Sequence, residues 1–326
     1  MNKGLTTGTE PSKLVEIIPA GARVLWVAST GGHLEQLVRM ASNVESDPAS
    51  SWITFDSHQS KSLLRGRNVV NVPYVKPRDF KAAFHAARIV APSITKDSYD
   101  VCVSTGAALA SSILPLARIR GLRTIYVESV SRTEGPSLTG RLMRAFPGIS
   151  TYTQHRTWAK GGWRQLQSLL EEWKPVSVLP KTGSLKLFVT LGTIKPYRFD
   201  RAVDSILSLL RPGDEVVWQL GATTRSDLPG ETHSEIPASQ VLTTALWADV
   251  VITHAGVGSI LSLLDVGICP ILAVRDRDHN EHVDGHQSQI ATAMVSRKLA
   301  YRLDLSEPRR DTLYSAAATK IEPQAQ

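Results

Sequence analysis

The sequence predicts an α/β protein with two domains built on parallel sheets, and three observations carry the prediction. Short apolar, strand-like runs alternate with helix-like ones along the chain, an order that implies parallel strands joined by right-handed crossovers. The alternation breaks at EWKPVSVLPKTGS, residues 172–184, which holds two prolines, a glycine and no apolar periodicity, and then restarts. Such a stretch is a natural domain boundary, so domains over 1–178 and 179–326 are expected. In each half, finally, an apolar run leads through a Gly-containing turn into a helix-like segment: Thr30-Gly31-Gly32-His33 in the first, His254-Ala255-Gly256-Val257-Gly258-Ser259 in the second.

In chain order, strands are expected over 23–29, 51–56, 69–75, 100–104, 124–128 and 149–153. A helix over 33–44 places Leu34, Leu37, Val38, Ala41 and Val44 on one face. Residues 101–119 contain Ser104, Gly106, Pro115 and Arg118. They read as strand, turn and helix, not as the run of about 20 apolar residues that spans a bilayer. After the boundary, strands are expected over 185–191, 215–220, 250–253, 268–274 and 300–303. Helices fall near 199–210, 239–247, 259–266 and 285–298. The tail from Ser306 is polar with a few alanines, and is either frayed or a helix crossing back onto the first domain.

Of 326 residues, 42% are apolar and 21% charged, which excludes a disordered or fibrous chain. The two cysteines, Cys102 and Cys269, lie within apolar strand-like runs and are expected to fill the core of a reduced, intracellular protein. The first residues, MNKGLTTGTEPSKLVEIIPAGAR, lack the apolar run and cleavage site of a secretory signal. Net charge is 37 − 30 = +7, unevenly spread. Between Arg118 and Arg164 nine Lys or Arg stand against Glu128 and Glu134. That face is either solvated or drawn to an anionic surface, at about 1 kcal/mol per basic residue.

The chemistry-bearing residues cluster after strand-like runs. Gly256 and Gly258 can take backbone angles closed to other residues, and Ser259 can cap the helix that follows. Free amides there, with the positive end of the helix dipole, favour a diphosphate, although a tight turn with no ligand reads the same way. Directly after 268–274 come His279, Asn280, Glu281, His282, Asp284, His286 and Gln287. In open α/β sheets such a loop and the Gly turn share one crevice outside the strands' carboxyl ends. In the first half, His33 sits at a helix N-terminus beside Gly31 and Gly32. The helix dipole there disfavours the imidazolium, which suits a neutral base, a capping or core histidine being the alternative. Glu128 ends an apolar strand and is either a second candidate base or an ion-pair partner of Arg132.

The second-half string HAGVGS followed by EHVDGHQ resembles the C-terminal, donor-binding half of family 28 glycosyltransferases, particularly bacterial relatives of the dolichol-pathway two-subunit N-acetylglucosaminyltransferase. TGGHLEQL is similar to the turn that opens the family's acceptor domains. YVESVSR and PSLTGR, residues 126–132 and 136–141, resemble segments of the dolichol enzyme's membrane-recruiting subunit. The resemblance implies acceptor-like and donor-like halves fused in one chain, and a GT-B-like α/β fold: two Rossmann-like domains with parallel sheets facing across a cleft. It implies that Gly192, Thr193, His254, Gly256, Gly258, Ser259, Glu281, His282, Asp284 and Gln287 hold a UDP-sugar donor, and that Gly31, Gly32, Arg132 and Ser137 hold the acceptor. His33 or Glu128 would then be the base of an inverting transfer. Ser262 departs from the pattern, standing where the family has a ribose-binding Glu, with Asp265 one turn further on.

The expected activity is transfer of a hexosyl or N-acetylhexosaminyl group from a UDP-sugar to a lipid-pyrophosphate-linked saccharide, in cell-surface polysaccharide or glycolipid synthesis. The expected partners are the UDP-sugar, the lipid-linked saccharide and the anionic inner face of the cell membrane, with no nucleic acid. No cofactor or metal is expected. His282 and His286 are spaced as zinc ligands on a helix, but Gly285 interrupts that helix, and no strand-ending acidic pair is placed to hold magnesium. A UDP-sugar 2-epimerase and a non-catalytic sugar-nucleotide-binding subunit are the alternatives.

Overall fold

The runs over 24–27 and 101–104 are apolar without a polar alternation, and such strands must be covered on both faces. The computed structural model, which describes residues 11–76, 79–193, 196–281 and 286–324, shows that they are. The chain divides into two units: one runs to Val130 and takes in Glu134–Leu169, the other comprises Ser131–Thr133 and Leu170–Gln326.

The first unit contains α1 (Leu14–Ile17), β1 (Val24–Val27), α2 (Gly32–Ser42), β2 (Ser51–Phe55), α3 (His58–Leu63), β3 (Asn68–Val72), α4 (Phe80–Val90), β4 (Val101–Ser104), α5 (Ala107–Ile119), β5 (Arg123–Val127), α6 (Leu138–Ala145), β6 (Ile149–Thr153) and β7 (Trp163–Gln165). Its strands form one sheet in the order β3-β2-β1-β4-β5-β6-β7, with every pairing parallel. All of β1 and β4 is buried. Leu25, Val27, Ile53 and Cys102 pack on one face against Ile113, Leu114 and Ala117 of α5. Trp26 and Trp52, directly opposite in the register of β1 and β2, stack at 5.6 Å. The short edge strand β7 escapes a reading by apolar run because its segment is Trp-Arg-Gln. Trp163 anchors it, edge-on to Trp158 and Tyr126.

The second unit contains β8 (Trp173–Ser177), β9 (Lys186–Thr190), α7 (Asp200–Leu207), β10 (Glu215–Gln219), β11 (Glu231–His233), α8 (Ala238–Trp247), β12 (Val250–His254), α9 (Val257–Asp265), β13 (Ile271–Ala273), α10 (His286–Ser296), β14 (Tyr301–Arg302), α11 (Asp311–Ala317) and β15 (Thr319–Pro323). Six strands form a parallel sheet in the order β11-β10-β9-β12-β13-β14. Alternate residues of β9 serve its two faces, as a period of two requires. Leu187 and Val189 pack with Phe199, Ile206 and Leu313, while Phe188 packs with Val251 and Leu263.

The described part of the tail is not frayed. It forms α11 and β15 within the second unit, β15 pairing antiparallel with β8. The buried Arg310 holds it, forking onto Asp214 at 2.7 and 2.9 Å and donating to the Leu209 carbonyl. This bidentate pairing is the strong form of a charged hydrogen bond, and apolar periodicity cannot reveal it.

Among the described residues no helix is long and apolar enough to cross a membrane. Both cysteines are free and buried. Burial pushes the Cys102 thiol far above its ordinary value and that of Cys269 up to about 12. Because the thiolate is the reactive species, neither should react with a thiol-directed disulfide reagent in the native protein, and both should react at once in denaturant. A stoichiometric native reaction would contradict the buried positions.

Candidate functional site

Strand order locates the crevices. In the first sheet the chain runs from β1 outward to β2 and β3, then returns on the other side through β4; in the second, β9 and β12 flank the same kind of reversal. Open α/β sheets bind ligands at these switch points, outside the carboxyl ends of the strands. Gly31-Gly32-His33 follows β1 and Thr105-Gly106 follows β4. Gly192-Thr193 follows β9, and His254 ends β12 ahead of Gly256. The sequence-predicted turns therefore stand at both switch points.

In the first unit, Gly31 caps α2 with φ 93°, a left-handed angle that a glycine adopts freely. The Gln59 amide brackets its peptide, Oε1 accepting from the Gly31 N–H at 2.6 Å and Nε2 donating to its carbonyl at 3.2 Å. Gly32 opens the helix and His33 follows in its first turn. The Nδ1 of His33 lies 2.8 Å from the Thr105 carbonyl oxygen. A carbonyl can only accept, so Nδ1 carries the proton and the lone pair of the neutral ring is on Nε2. The Thr105 hydroxyl donates back to the His33 carbonyl at 2.7 Å, which fixes the ring's approach. A Cβ on Gly106 (φ 119°) would lie 3.1 Å from both His33 Cε1 and the Tyr126 hydroxyl oxygen. Imidazole and phenol thus flank one glycine.

From that phenol the polar contacts continue to Glu128, 1% exposed. Its Oε1 accepts from the Tyr126 hydroxyl (3.1 Å) and the Ser129 N–H (3.2 Å). Its Oε2 accepts from the Ser137 N–H (2.9 Å) and hydroxyl (3.0 Å). Ser137 in turn caps α6 by accepting from the Gly140 N–H. A Cβ at Gly140 would come within 2.1 Å of Glu128 Oε2, which accounts for the glycine in SLTG. The geometry gives Glu128 the work of folding the 129–137 turn against the sheet. Both candidate bases and Ser137 thus come together through Tyr126. Arg132 lies half-buried in the turn after β5. Beneath the turn, buried Gln36 donates to Gly32 O and Ser129 Oγ and accepts from the Val130 N–H. Gln36 and Tyr126 were missed as site residues because Gln36 lies off the apolar face of its helix and Tyr126 stands in an apolar strand, where its hydroxyl was the one available signal.

Glu128→Gln should cost about 1–3 kcal/mol, because one amide face would oppose a backbone donor. The hydroxyls of Tyr126 and Ser137 can rotate to accept, but the Ser129 and Ser137 N–H groups cannot. Urea denaturation measures the loss, and an unchanged midpoint would remove Glu128 from this role.

In the second unit the loops after β9, β10 and β12 meet. A Cβ on Gly192 would lie 2.7 Å from His254 Cε1, and one on Gly256 would lie 2.4 Å from His254 Nε2, so the imidazole is sandwiched between two glycines. The backbone angles differ from expectation. Gly256 is the N-cap of α9 at φ −85°, and Gly258 and Ser259 are already helical, so Ser259 is not the cap. The left-handed angles belong to Gly192 (φ 76°) and Gly221 (φ 62°). The N-cap residue of α9, Gly256, brings no side-chain cap, and first-turn amides of a helix have no intrahelical acceptor. Amides and dipole together give this end the positive character that favours an anion. Thr193 is exposed beside it.

Of the polar loop, Glu281 is 5% exposed. It takes both nitrogens of Arg201 at 3.2 and 2.8 Å and the Asp276 N–H at 2.9 Å. The Gln287 side-chain oxygen accepts from the Arg275 N–H at 3.1 Å. Arg275 itself, 1% exposed, was missed; an arginine directly after an apolar strand was its signal. His282 and Asp284 lie outside the described residues. No group of three or more His, Cys, Asp or Glu among the described residues is placed to hold a metal ion.

Residues 186–307 match the glycosyltransferase family 28 C-terminal domain. Among solved structures the chain is similar to MurG of Acinetobacter baumannii, at 13% identity and a TM-score of 0.55 over 90% of this chain and 89% of that one. It is also similar to the spinosyn forosaminyltransferase SpnP (14%, 0.56, 92% and 90%) and to Arabidopsis thaliana UGT89C1 complexed with UDP-L-rhamnose (14%, 0.55, 91% and 90%). These likenesses show the fold: α/β with two parallel sheets, as in GT-B glycosyltransferases such as MurG. No curated protein sequence matches the chain.

Proposed function

We propose that this chain is an inverting glycosyltransferase that moves a hexosyl or N-acetylhexosaminyl group from a UDP-sugar to a hydroxyl of a lipid-pyrophosphate-linked saccharide. One observation carries the reading. At the β9/β12 switch point, inside the stretch matched by the family 28 domain, His254 lies between two glycines beside the N-terminal end of α9. That arrangement suits a nucleotide diphosphate. In a single displacement, His33 Nε2 takes the acceptor hydroxyl's proton and the freed oxygen pair bonds to the anomeric carbon from the face opposite UDP. The bond to the diphosphate oxygen breaks, and the α9 amides stabilise the departing charge. His254, Gly192, Thr193, Gly256, Gly258 and Ser259 would hold the nucleotide; Glu281, His282, Asp284 and Gln287 the sugar; Gly31, Gly32, Arg132 and Ser137 the acceptor.

The surface of the first unit supports a lipid-linked acceptor. A groove of about 400 Å³ between α4 and α5 is lined by Ala83, Phe84, Ala87, Pro115, Leu116 and Ile119, with Phe84 64% and Ile119 75% exposed. Arg120, Arg123, Arg141 and Arg144 of the same unit are exposed. Apolar area with positive charge fits peripheral attachment to the anionic inner face of the cell membrane.

The test is a donor screen with UDP-glucose, UDP-galactose, UDP-glucuronate and the N-acetylated hexoses, using extracted lipid-linked saccharides as acceptors. Label moving from one donor into the lipid fraction supports the reading. Conversion of UDP-N-acetylglucosamine without acceptor would make the chain an epimerase, and UDP binding with no transfer across the panel would make it a binding subunit.

A further inference from the structure

We infer that Arg275 is a positioning residue for the donor, a buried guanidinium that ties the loop after β9 to the loop after β13 and so fixes the nucleotide and sugar contacts relative to one another. The inference rests on the donor site proposed above. Arg275 Nη2 donates to the Leu191 carbonyl at 2.8 Å, immediately before Gly192-Thr193. Its Nη1 donates to the carbonyls of Tyr197 (3.1 Å), Arg198 (3.3 Å) and Glu281 (3.0 Å). The guanidinium lies over the Phe199 ring at 4.7 Å, and the residue's own N–H donates to Gln287 Oε1. One side chain therefore reaches both ends of the 191–199 loop and, with its backbone, both flanks of the sugar-reading loop.

The choice of arginine has a physical reason. Four carbonyls shared between the two terminal nitrogens match a forked donor, whereas a lysine ammonium is a compact point charge that cannot span them. Burial draws the Arg275 pKa down to about 10, with Glu281 opposing the shift, so the group remains a cation at neutral pH. Glu281 is shared with Arg201. Arg275 touches no reacting atom in this arrangement and acts through the loops it holds.

The experiment compares wild type with Arg275→Lys, reading thermal unfolding, UDP affinity by calorimetry, and kcat and KM for the donor identified in the screen. Arg275→Lys should still melt cooperatively, yet bind UDP at least ten-fold more weakly and show a donor KM raised by a similar factor, with the acceptor KM unchanged. A residue with a merely structural role would lower the melting temperature and leave the affinity of the folded protein intact. Hydrogen exchange on the wild type keeps the test open if the variant fails to fold. UDP should slow exchange in 191–199 and 275–281 together, and protection of one segment without the other would overturn the coupling. Wild-type UDP binding that Arg275→Lys retains in full would sink this inference alone. A wild type with no affinity for UDP would take the proposed donor site down with it.

Discussion

Replacing His33 with alanine is expected to lower turnover about 10²–10⁴-fold, the usual contribution of a positioned general base, while UDP affinity stays at its wild-type value. The tautomer is what makes the expectation specific. With Nδ1 bonded to the Thr105 carbonyl, the lone pair is confined to Nε2, and only a ring placed in this way can take a proton there. His33→Asn separates orientation from basicity, since its amide can still donate to Thr105 O but offers no nitrogen base. It should lose as much turnover as His33→Ala. If His33→Asn retained more than a tenth of wild-type turnover with the donor and acceptor found by the screen, the imidazole would not be the base. Glu128, the second candidate, is poorly placed to replace it, because four donors already occupy its two oxygens.

The sequence made the fold legible where strands are rich in apolar, aromatic and β-branched residues and turns carry glycine. The segments that became β1, β2, β4, β6, β9, β10 and β12 are visible as such runs, and the switch points follow once their order is known. Three features were not legible, each for a definable reason. The expected strand over 268–274 shortens to Ile271–Ala273, because Ile268 instead bridges to Lys320 of β15, a pairing with a segment far along the chain. The tail reads as polar because an ion pair, Arg310 with Asp214, anchors it alongside its apolar contacts. At the candidate site, the Gly-rich turn stands at the β9/β12 switch point, while the left-handed angles expected of its glycines lie elsewhere. Gly256 is needed for the space beside His254, and the left-handed backbone sits on Gly192 and Gly221. A sequence shows that glycine is tolerated and leaves open whether the reason is an angle or a missing Cβ.

Gly221 combines both reasons, and Gly221→Ala is expected to damage the second unit severely. The residue has φ 62°, and its added Cβ would lie 1.9 Å from the Gly192 carbonyl oxygen and 3.0 Å from the carbonyl carbon. The left-handed angle alone costs about 1–2 kcal/mol for a residue with a Cβ. The collision adds to that cost, because the obstacle is backbone and cannot rotate aside as a side-chain tip would. Gly221 is also tied by its N–H to the Ser234 carbonyl at 2.8 Å, so the Gly192-Thr193 turn must give way instead. A combined loss of about 2–4 kcal/mol is expected, together with at least a ten-fold fall in UDP affinity as that turn shifts against His254. Gly183→Ala separates the two contributions. It has φ 87° in the same unit with nothing within 4 Å of an added Cβ, so it should lower stability through strain alone and leave UDP affinity unchanged. Equal UDP affinities for the two variants would mean that the β10 loop does not support the nucleotide turn, and the assignment of Gly192 and Thr193 to the donor would fall with it.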